Sequence, residues 1–397
     1  MKNHYLSLII IAGLILLTTG VHAQNSIPRV LKEIEGNNKT LQAKEKLTDA
    51  QKLEAQTGKY LENPTAEFEK MWGNRNNPES EYSFTLKQSL DFPSVYGQKN
   101  KLAELKSTSL GHQLAAYRQQ LLLTAKQTCI EIIYLRKQKE LLDKRLTNAE
   151  QLATSYRRKI ESGDANQLEV NKIQLELLAA RNQSRLNTAA LSTAEEQLRN
   201  LNGNISIEFN DLEYPEINAL LDLDAIYSAY LAADPNMKGL LEDQEVANQE
   251  VKVSRSLTLP KFDLGYKRNA SGNNVSANGF VIGISIPLFE NKNTVKRAKA
   301  QAEFVTATIE ESRLNLRSSL QQLYEQAVTL QTSRNEYATL LKNQRNVELL
   351  NKALQAGQLS IVDYFTELTT LYDSLQSFLD VERDYYNLLA QLFQYEL

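Results

Sequence analysis

The chain has 397 residues, 42% of them hydrophobic, and a formal net charge of −3. That balance supports a buried core and excludes a strongly basic surface, so no nucleic acid partner is expected. Only 15 Gly and 8 Pro leave long stretches without a breaker, which favours long helices over a loop-rich fold.

Lys2 precedes an apolar run from Leu6 to Leu17, followed by Thr18, Thr19, Gly20, Val21, His22 and Ala23. A charged start, a short apolar core and a small-residue site predict a signal peptide over residues 1–23, cleaved after Ala23 to leave Gln24 first. The other reading is a short membrane anchor, for which the run is short of a full span. Past that segment His112 is the single His and Cys129 the single Cys, too few for a zinc or copper site, and two Met (Met71, Met237) make no thioether ladder, so neither metal nor cofactor is expected. Cys129 is expected to pack as a small apolar residue.

In chain order, Ile27 to about Tyr60 is polar and helix-forming until Asn63-Pro64 stops it. Two period-2 segments follow. Ala66, Phe68 and Trp72 share one face of the first; Tyr82, Phe84, Leu86 and Leu90 share one face of the second. Gly73 to Pro78 between them is turn chemistry, so residues 64–90 predict a β-hairpin. From about Ser94 to Ser162 the spacing becomes helical for ~68 residues, or ~100 Å. Its lower seam is Ile132, Leu135, Lys139, Leu142, Leu146, Ala149, Ala153, Tyr156 and Ile160, broken once by Lys139. A turn at Gly163 reverses the chain. The returning helix carries Val170, Ile173, Leu177, Ala180, Ser184, Asn187, Leu191, Ala194, Leu198 and Leu201, and Ile205–Phe209 after it reads as a brief strand.

The order then repeats. A helix from Leu221 to Leu257 meets Leu259-Pro260, and residues 260–287 predict a second hairpin with Phe262, Tyr266, Phe280 and Ile282 on its apolar face. Another helix of ~62 residues, about 95 Å, runs to Ala356 with Arg334 inside its seam. It turns at Gly357 and returns through Phe365, Leu368, Tyr372, Glu382, Tyr386 and Leu389 to the chain end. The glycines suit left-handed C′ positions, and Ser360 and Asn166 occupy the following N-cap positions. Aligning Gly163 with Gly357 sets Glu169 against Asp363 and Leu168 against Val362. The copies lie about 195 residues apart, dividing the chain into a first repeat (24–210) and a second (211–397).

Four half-apolar strands are too few to close a membrane barrel, whose smallest examples need about eight. An open edge in lipid strands its backbone groups, so a symmetric trimer is expected, with Phe68, Phe84, Phe262, Tyr266, Phe280 and Ile282 facing lipid. The strands taken alone also suit a small soluble sandwich capping a coiled coil. The fold class expected is mainly α with a small β part: duplicated long helical hairpins that continue the cylinder of a membrane β-barrel outside the bilayer.

Ala356-Gly357-Gln358-Leu359-Ser360-Ile361-Val362-Asp363, followed by Thr369-Thr370-Leu371-Tyr372, resembles the tip motif of the TolC family of outer-membrane efflux channels. Ser285-Ile286-Pro287-Leu288-Phe289 and Lys87-Gln88-Ser89-Leu90-Asp91-Phe92 resemble that family's strand-to-helix junctions. The resemblance implies a homotrimer with a twelve-stranded barrel (four strands per chain) joined to a periplasmic α-barrel, a periplasmic adaptor, an inner-membrane pump and an outer-membrane location. It implies an exit duct of a tripartite efflux pump, with adaptor contact at the tips (Gly163, Gly357, Ser360) and an aperture near Asp363 and Glu169. Thr366 stands where the best-known members carry a second acid, and Leu168, Leu354 and Leu359 stand where those members carry polar latches. The gating bonds therefore do not transfer.

No catalytic constellation accompanies this. His112 is mid-helix without a nucleophile motif, and no phosphate-cradling loop is present, so no enzyme activity is expected. A periplasmic adaptor-like protein or an exported coiled-coil scaffold is the rival class, although neither has paired lipid-facing hairpins. Arg157-Arg158-Lys159 suits either a partner contact or simple complementing of a helix C-terminus. Asp363 equally suits a solvated early-helix acid. Drug, metal-ion and protein cargo are all compatible with the residues present.

Overall fold

The computed structural model describes residues 26–73, 79–215, 221–272, 276–341 and 346–397. The expected signal segment 1–23, the Gln24 terminus, most of the first hairpin turn, part of the second hairpin loop and residues 342–345 of the second long helix lie outside the described residues. Helices α1 (Ile27–Asn37) and α2 (Lys39–Thr57) lead into strands β1 (Thr65–Met71) and β2 (Glu81–Leu90). The first long hairpin is α3 (Pro93–Glu161) and α4 (Gln167–Leu201). The same order follows as α5 (Leu223–Ala233), α6 (Pro235–Ser256), β3 (Lys261–Ser271), β4 (Ser276–Ser285), α7 (Thr294–Leu341), α8 (Asn346–Gln355) and α9 (Ile361–Leu392).

Helix α3 is 69 residues long, ~100 Å at 1.5 Å per residue. Pro93 sits at its first position, where the missing N–H costs nothing. It is the spine: α4, α2, α6 and α9 all pack on it, and α7 packs on α6 and α9. The α4 face turned to α3 buries Ile173, Ala180, Asn187 and Ala194 at a strict seven-residue repeat, the signature of a two-helix seam. One core, near the chain ends, joins Ile27, Ile34, Ile130, Ile133, Leu198, Ile226, Leu320 and Leu389. A second core lies at the hairpin tips, from Tyr156, Ile173, Leu354, Ile361, Tyr364, Phe365, Leu368 and Tyr372.

The four strands form one antiparallel sheet in the order β1-β2-β3-β4. Registers Phe68↔Phe84, Leu86↔Tyr266 and Tyr266↔Phe280 run unbroken across it. β1 and β4 are its edges, each paired on one side only.

Several boundaries differ from those the sequence predicts. The helix expected over Ile27–Tyr60 breaks at Asn38, whose Oδ1 accepts from the Leu41 N–H at 2.8 Å and whose amide donates to the Leu201 carbonyl at 2.8 Å. The helix expected over Leu221–Leu257 breaks at Asp234, which caps Met237 N–H at 2.9 Å, with Pro235 opening the next helix. Each break sits beside the end of a returning helix, where a straight rod would lose its packing. Ile205–Phe209 forms no strand; Phe209 and Ile207 instead turn into the chain-end core. Period-2 alternation is a local pattern and gives a strand only where a neighbour can pair with it. The last helix stops at Leu392, and a 3-10 turn over Gln394–Glu396 ends the chain.

Candidate functional site

Two regions bring the candidate residues together. At the tips, α3 and α8 end in the same hydrogen-bond pattern. Gly163 (φ +82°) bonds back to the Ile160 carbonyl at 3.2 Å and Asp164 to that of Lys159 at 2.7 Å. Gly357 (φ +70°) and Gln358 repeat this on Leu354 and Ala353, at 3.2 and 2.9 Å. Both are Schellman turns, whose left-handed C′ residue favours glycine.

The returning helices then begin with matched caps. Asn166 Oδ1 accepts from Glu169 N–H at 3.0 Å while Glu169 Oε2 accepts from Asn166 N–H at 2.9 Å, a closed capping box. Ser360 Oγ accepts from Asp363 N–H at 3.1 Å and donates to Asp363 Oδ2 at 2.7 Å. Asp363 and Glu169 therefore occupy equivalent third positions of their helices, each with one carboxylate oxygen engaged at the turn. Asp363 is exposed and Glu169 partly so. Burial, and next the Glu169 charge, push the Tyr156 phenol pKa up. Of the latch positions, Leu354 is in the tip core, whereas Leu168 is 79% exposed and its counterpart Val362 is 54% exposed. Lys159 lies over the Tyr156 ring at 4.8 Å and Lys172 over Phe365 at 5.7 Å.

A polar triad that sequence reasoning missed ties the tips together. Asn148 Nδ2 donates to Tyr364 Oη at 2.8 Å, Tyr364 Oη donates to Asn351 Oδ1 at 2.8 Å, and Asn351 Nδ2 donates to Asn148 Oδ1 at 2.9 Å. It joins α3, α8 and α9 inside an apolar cluster. Its visible signal is Asn148, a polar residue beside the seam residue Ala149.

On the sheet, residues directly opposite one another share a face. The registers put Phe68, Phe84, Phe262, Tyr266, Phe280 and Ile282 on one side, joined by Tyr82, Leu264 and Ile284. Phe280 is 89% exposed and Ile282 is 74% exposed. The opposite side carries Glu67, Glu69, Glu81, Lys87, Asp263 and Lys267. There Asp263 accepts from Ser89 Oγ at 2.6 Å and pairs with Lys87 at 3.2 Å. Among the described residues no helix is long and apolar enough to cross a membrane. Cys129 is fully buried, its thiol pushed up to about 12 by burial, which leaves it inert packing.

An open sheet apolar on one face and polar on the other, carried on a pair of very long helical hairpins, is the fold of an outer-membrane channel subunit. Solved structures with this fold include a membrane protein from Pseudomonas aeruginosa (14% identical, covering 93% of this chain and 90% of that chain, TM-score 0.79). The CmeC outer membrane channel of Campylobacter jejuni is 15% identical, covering 93% of this chain and 85% of that chain with a TM-score of 0.70. The outer membrane protein VceC of Vibrio cholerae is 13% identical, with 94% of each chain covered and a TM-score of 0.71. Toxin and drug export protein A of Aggregatibacter actinomycetemcomitans is 26% identical over 248 residues, covering 58% of this chain. The match spans about half of that relative's length, 53%. Residues 226–395 match the family described as outer membrane efflux protein.

Proposed function

We propose that this chain is the exit duct of a tripartite export pump: a homotrimer that closes a membrane barrel and extends its helices through the periplasm. The observation that carries this reading is the sheet, predominantly apolar on one face and open at both edges. Unpaired backbone at an edge is not tolerated in lipid, and pairing β1 of one copy with β4 of the next removes every edge. The repeats 24–210 and 211–397 each supply one hairpin of strands and one of helices. A cleaved signal over residues 1–23 delivers the chain for insertion in the outer membrane. Exposed Leu168 and Val362 at the tips, beside Gly163, Gly357 and Ser360, offer the apolar ground on which a periplasmic adaptor docks, with an inner-membrane pump behind it. Crosslinked, detergent-extracted protein should run at about three times the monomer mass, as trimeric closure requires. A stable monomer in detergent-free buffer would overturn the channel.

In this reading Asp363 forms the aperture ring and Glu169 stands at the equivalent position of the other hairpin. Carboxylates gathered at a narrow mouth attract cations, because low-dielectric walls strengthen their field. Asp363→Asn keeps an acceptor for Ser360, so the cap and the trimer should survive. Block of single-channel current by divalent cations on the tip side should weaken at least about fivefold, since the substitution removes all three carboxylates of the ring and one lost charge contact is already worth ~1 kcal/mol. Unchanged block in Asp363→Asn and in Glu169→Gln would place the aperture elsewhere.

A further inference from the structure

We infer that the loop end of the sheet's apolar face is a binding site for the phosphate groups of a lipid headgroup, held by Lys70 and Arg268. The inference rests on the membrane barrel proposed above.

Register assigns every charged strand residue to a face. Glu67, Glu69, Glu81, Lys87, Lys261, Asp263 and Lys267 fall on the polar side. The apolar side has two charges, both positive and in adjoining rows. Lys70 lies opposite Tyr82, which lies opposite Ala270. In the next row Phe68 lies opposite Phe84, which lies opposite Arg268. Arg268 is exposed and, among the described residues, makes no hydrogen bond or ion pair. Among the described residues, the Lys70 ammonium touches only aromatic faces, 5.3 Å from the centroid of Tyr82 and 5.6 Å from that of Trp72.

An unpaired guanidinium on a lipid-facing wall is costly unless it reaches an anion at the interface. Its height allows this. Arg268 is six residues from Phe262 along β3, ~20 Å at strand rise or ~15 Å in height at a tilt of about 40°, and the Lys70 row lies ~5 Å higher. Barrels of this kind carry an apolar band ~25 Å tall, so Lys70 falls near its outer rim and Arg268, a little deeper, reaches the rim along its long side chain, among aromatic girdle residues. The other end of the band joins the helices at Leu90 and Pro93, so this rim belongs to the leaflet facing away from them. Lys70 and Arg268 sit two strands and one row apart, ~12 Å between backbones, with Tyr82 and Phe84 between them as a platform. That spacing suits a headgroup with two separated phosphates better than a single small anion, which would satisfy one cation and leave the other bare.

The test uses the full chain, purified as trimers and placed in phosphatidylcholine nanodiscs containing either lipid A or its dephosphorylated form. Retained glycolipid is then measured by mass spectrometry of the intact complex. The wild-type protein should retain lipid A in preference to the dephosphorylated form. Lys70→Gln with Arg268→Gln should lose that preference roughly 25-fold, at about fivefold per cation near an anionic surface. The double variant should still form trimers with unchanged conductance. Equal retention by wild type and variant, or no preference for the phosphorylated form, overturns the site. Displacement by inorganic phosphate at low millimolar concentration would show a free-anion site and overturn the lipid assignment. Failure to form membrane trimers at all is a separate result, and it removes the barrel rather than the site alone.

Discussion

Glu382→Ala is expected to destabilise the helical body by about 3 kcal/mol, the lower end of what removing one partner of a buried ion cluster costs. Glu382 is only 6% exposed, yet it stands in the middle of the α9 seam. Its carboxylate pairs with Lys137 on α3 at 3.3 Å and with Arg334 on α7 at 3.4 Å. Truncation leaves two cations facing an apolar gap. The lower end applies because Lys137 keeps Glu213 at 3.3 Å and lies over Tyr214, and Arg334 keeps the faces of Tyr385 and Tyr386. Urea unfolding of the detergent-solubilised protein, followed by circular dichroism, should show the lowered midpoint. Glu382→Gln should cost less, since it keeps an acceptor. A triple replacement of Glu382, Lys137 and Arg334 by Leu should recover most of the loss, because apolar side chains of similar volume need no compensation. A wild-type midpoint in Glu382→Ala would mean that the cluster is solvated and holds nothing together.

This cluster also marks where the sequence stops being legible. Arg334 and Glu382 both fall on seam positions, so the heptad spacing already exposes two charges where apolar residues belong. Spacing along one helix cannot say which helix lies opposite, so their pairing with each other and with Lys137 is invisible. Lys139, the apparent seam break, only pairs with Asp143 one turn on. The turns were legible because their chemistry is local: Gly163, Asn166, Gly357 and Ser360 each act within a few residues of themselves. The strand faces were legible for the same reason, since side-chain alternation fixes a face without reference to a partner. Asn38 and Asp234 carried a readable signal, an Asx residue at matching places in both copies, with Pro behind the second. Neither was read as a break because the surrounding residues favour helix on both sides. At the tips, the sequence picks out Asp363 and Glu169 as aligned acids, but only the structure shows both engaged in caps.

Tyr364 should prove the residue on which the tip most depends. Its side chain is fully buried, packs edge-on against Phe365 with ring centroids 5.5 Å apart, and closes the hydrogen-bonded triad with Asn148 and Asn351. Burial pushes the phenol pKa up, so the hydroxyl stays a donor at any physiological pH. Tyr364→Phe keeps the ring and deletes the hydroxyl, leaving the Asn148 amide and the Asn351 carbonyl without this partner; the expected cost is about 1–3 kcal/mol. Tyr364→Ala also opens a cavity, for a total of about 3–5 kcal/mol. The triad bridges α3 of one hairpin and α8–α9 of the other, so any widening of the mouth that separates the hairpins must break it. Tyr364→Phe should therefore speed amide exchange over residues 346–372 while leaving the chain-end core protected, and raise the single-channel conductance of the closed form. Tyr364→Ala should do both more strongly. Faster exchange without a change in conductance would confine the triad to stability. Unchanged exchange in Tyr364→Phe would show that apolar packing alone holds the tip, and the separation of the hairpins would then have to be resisted by Leu354, Ile361 and Phe365.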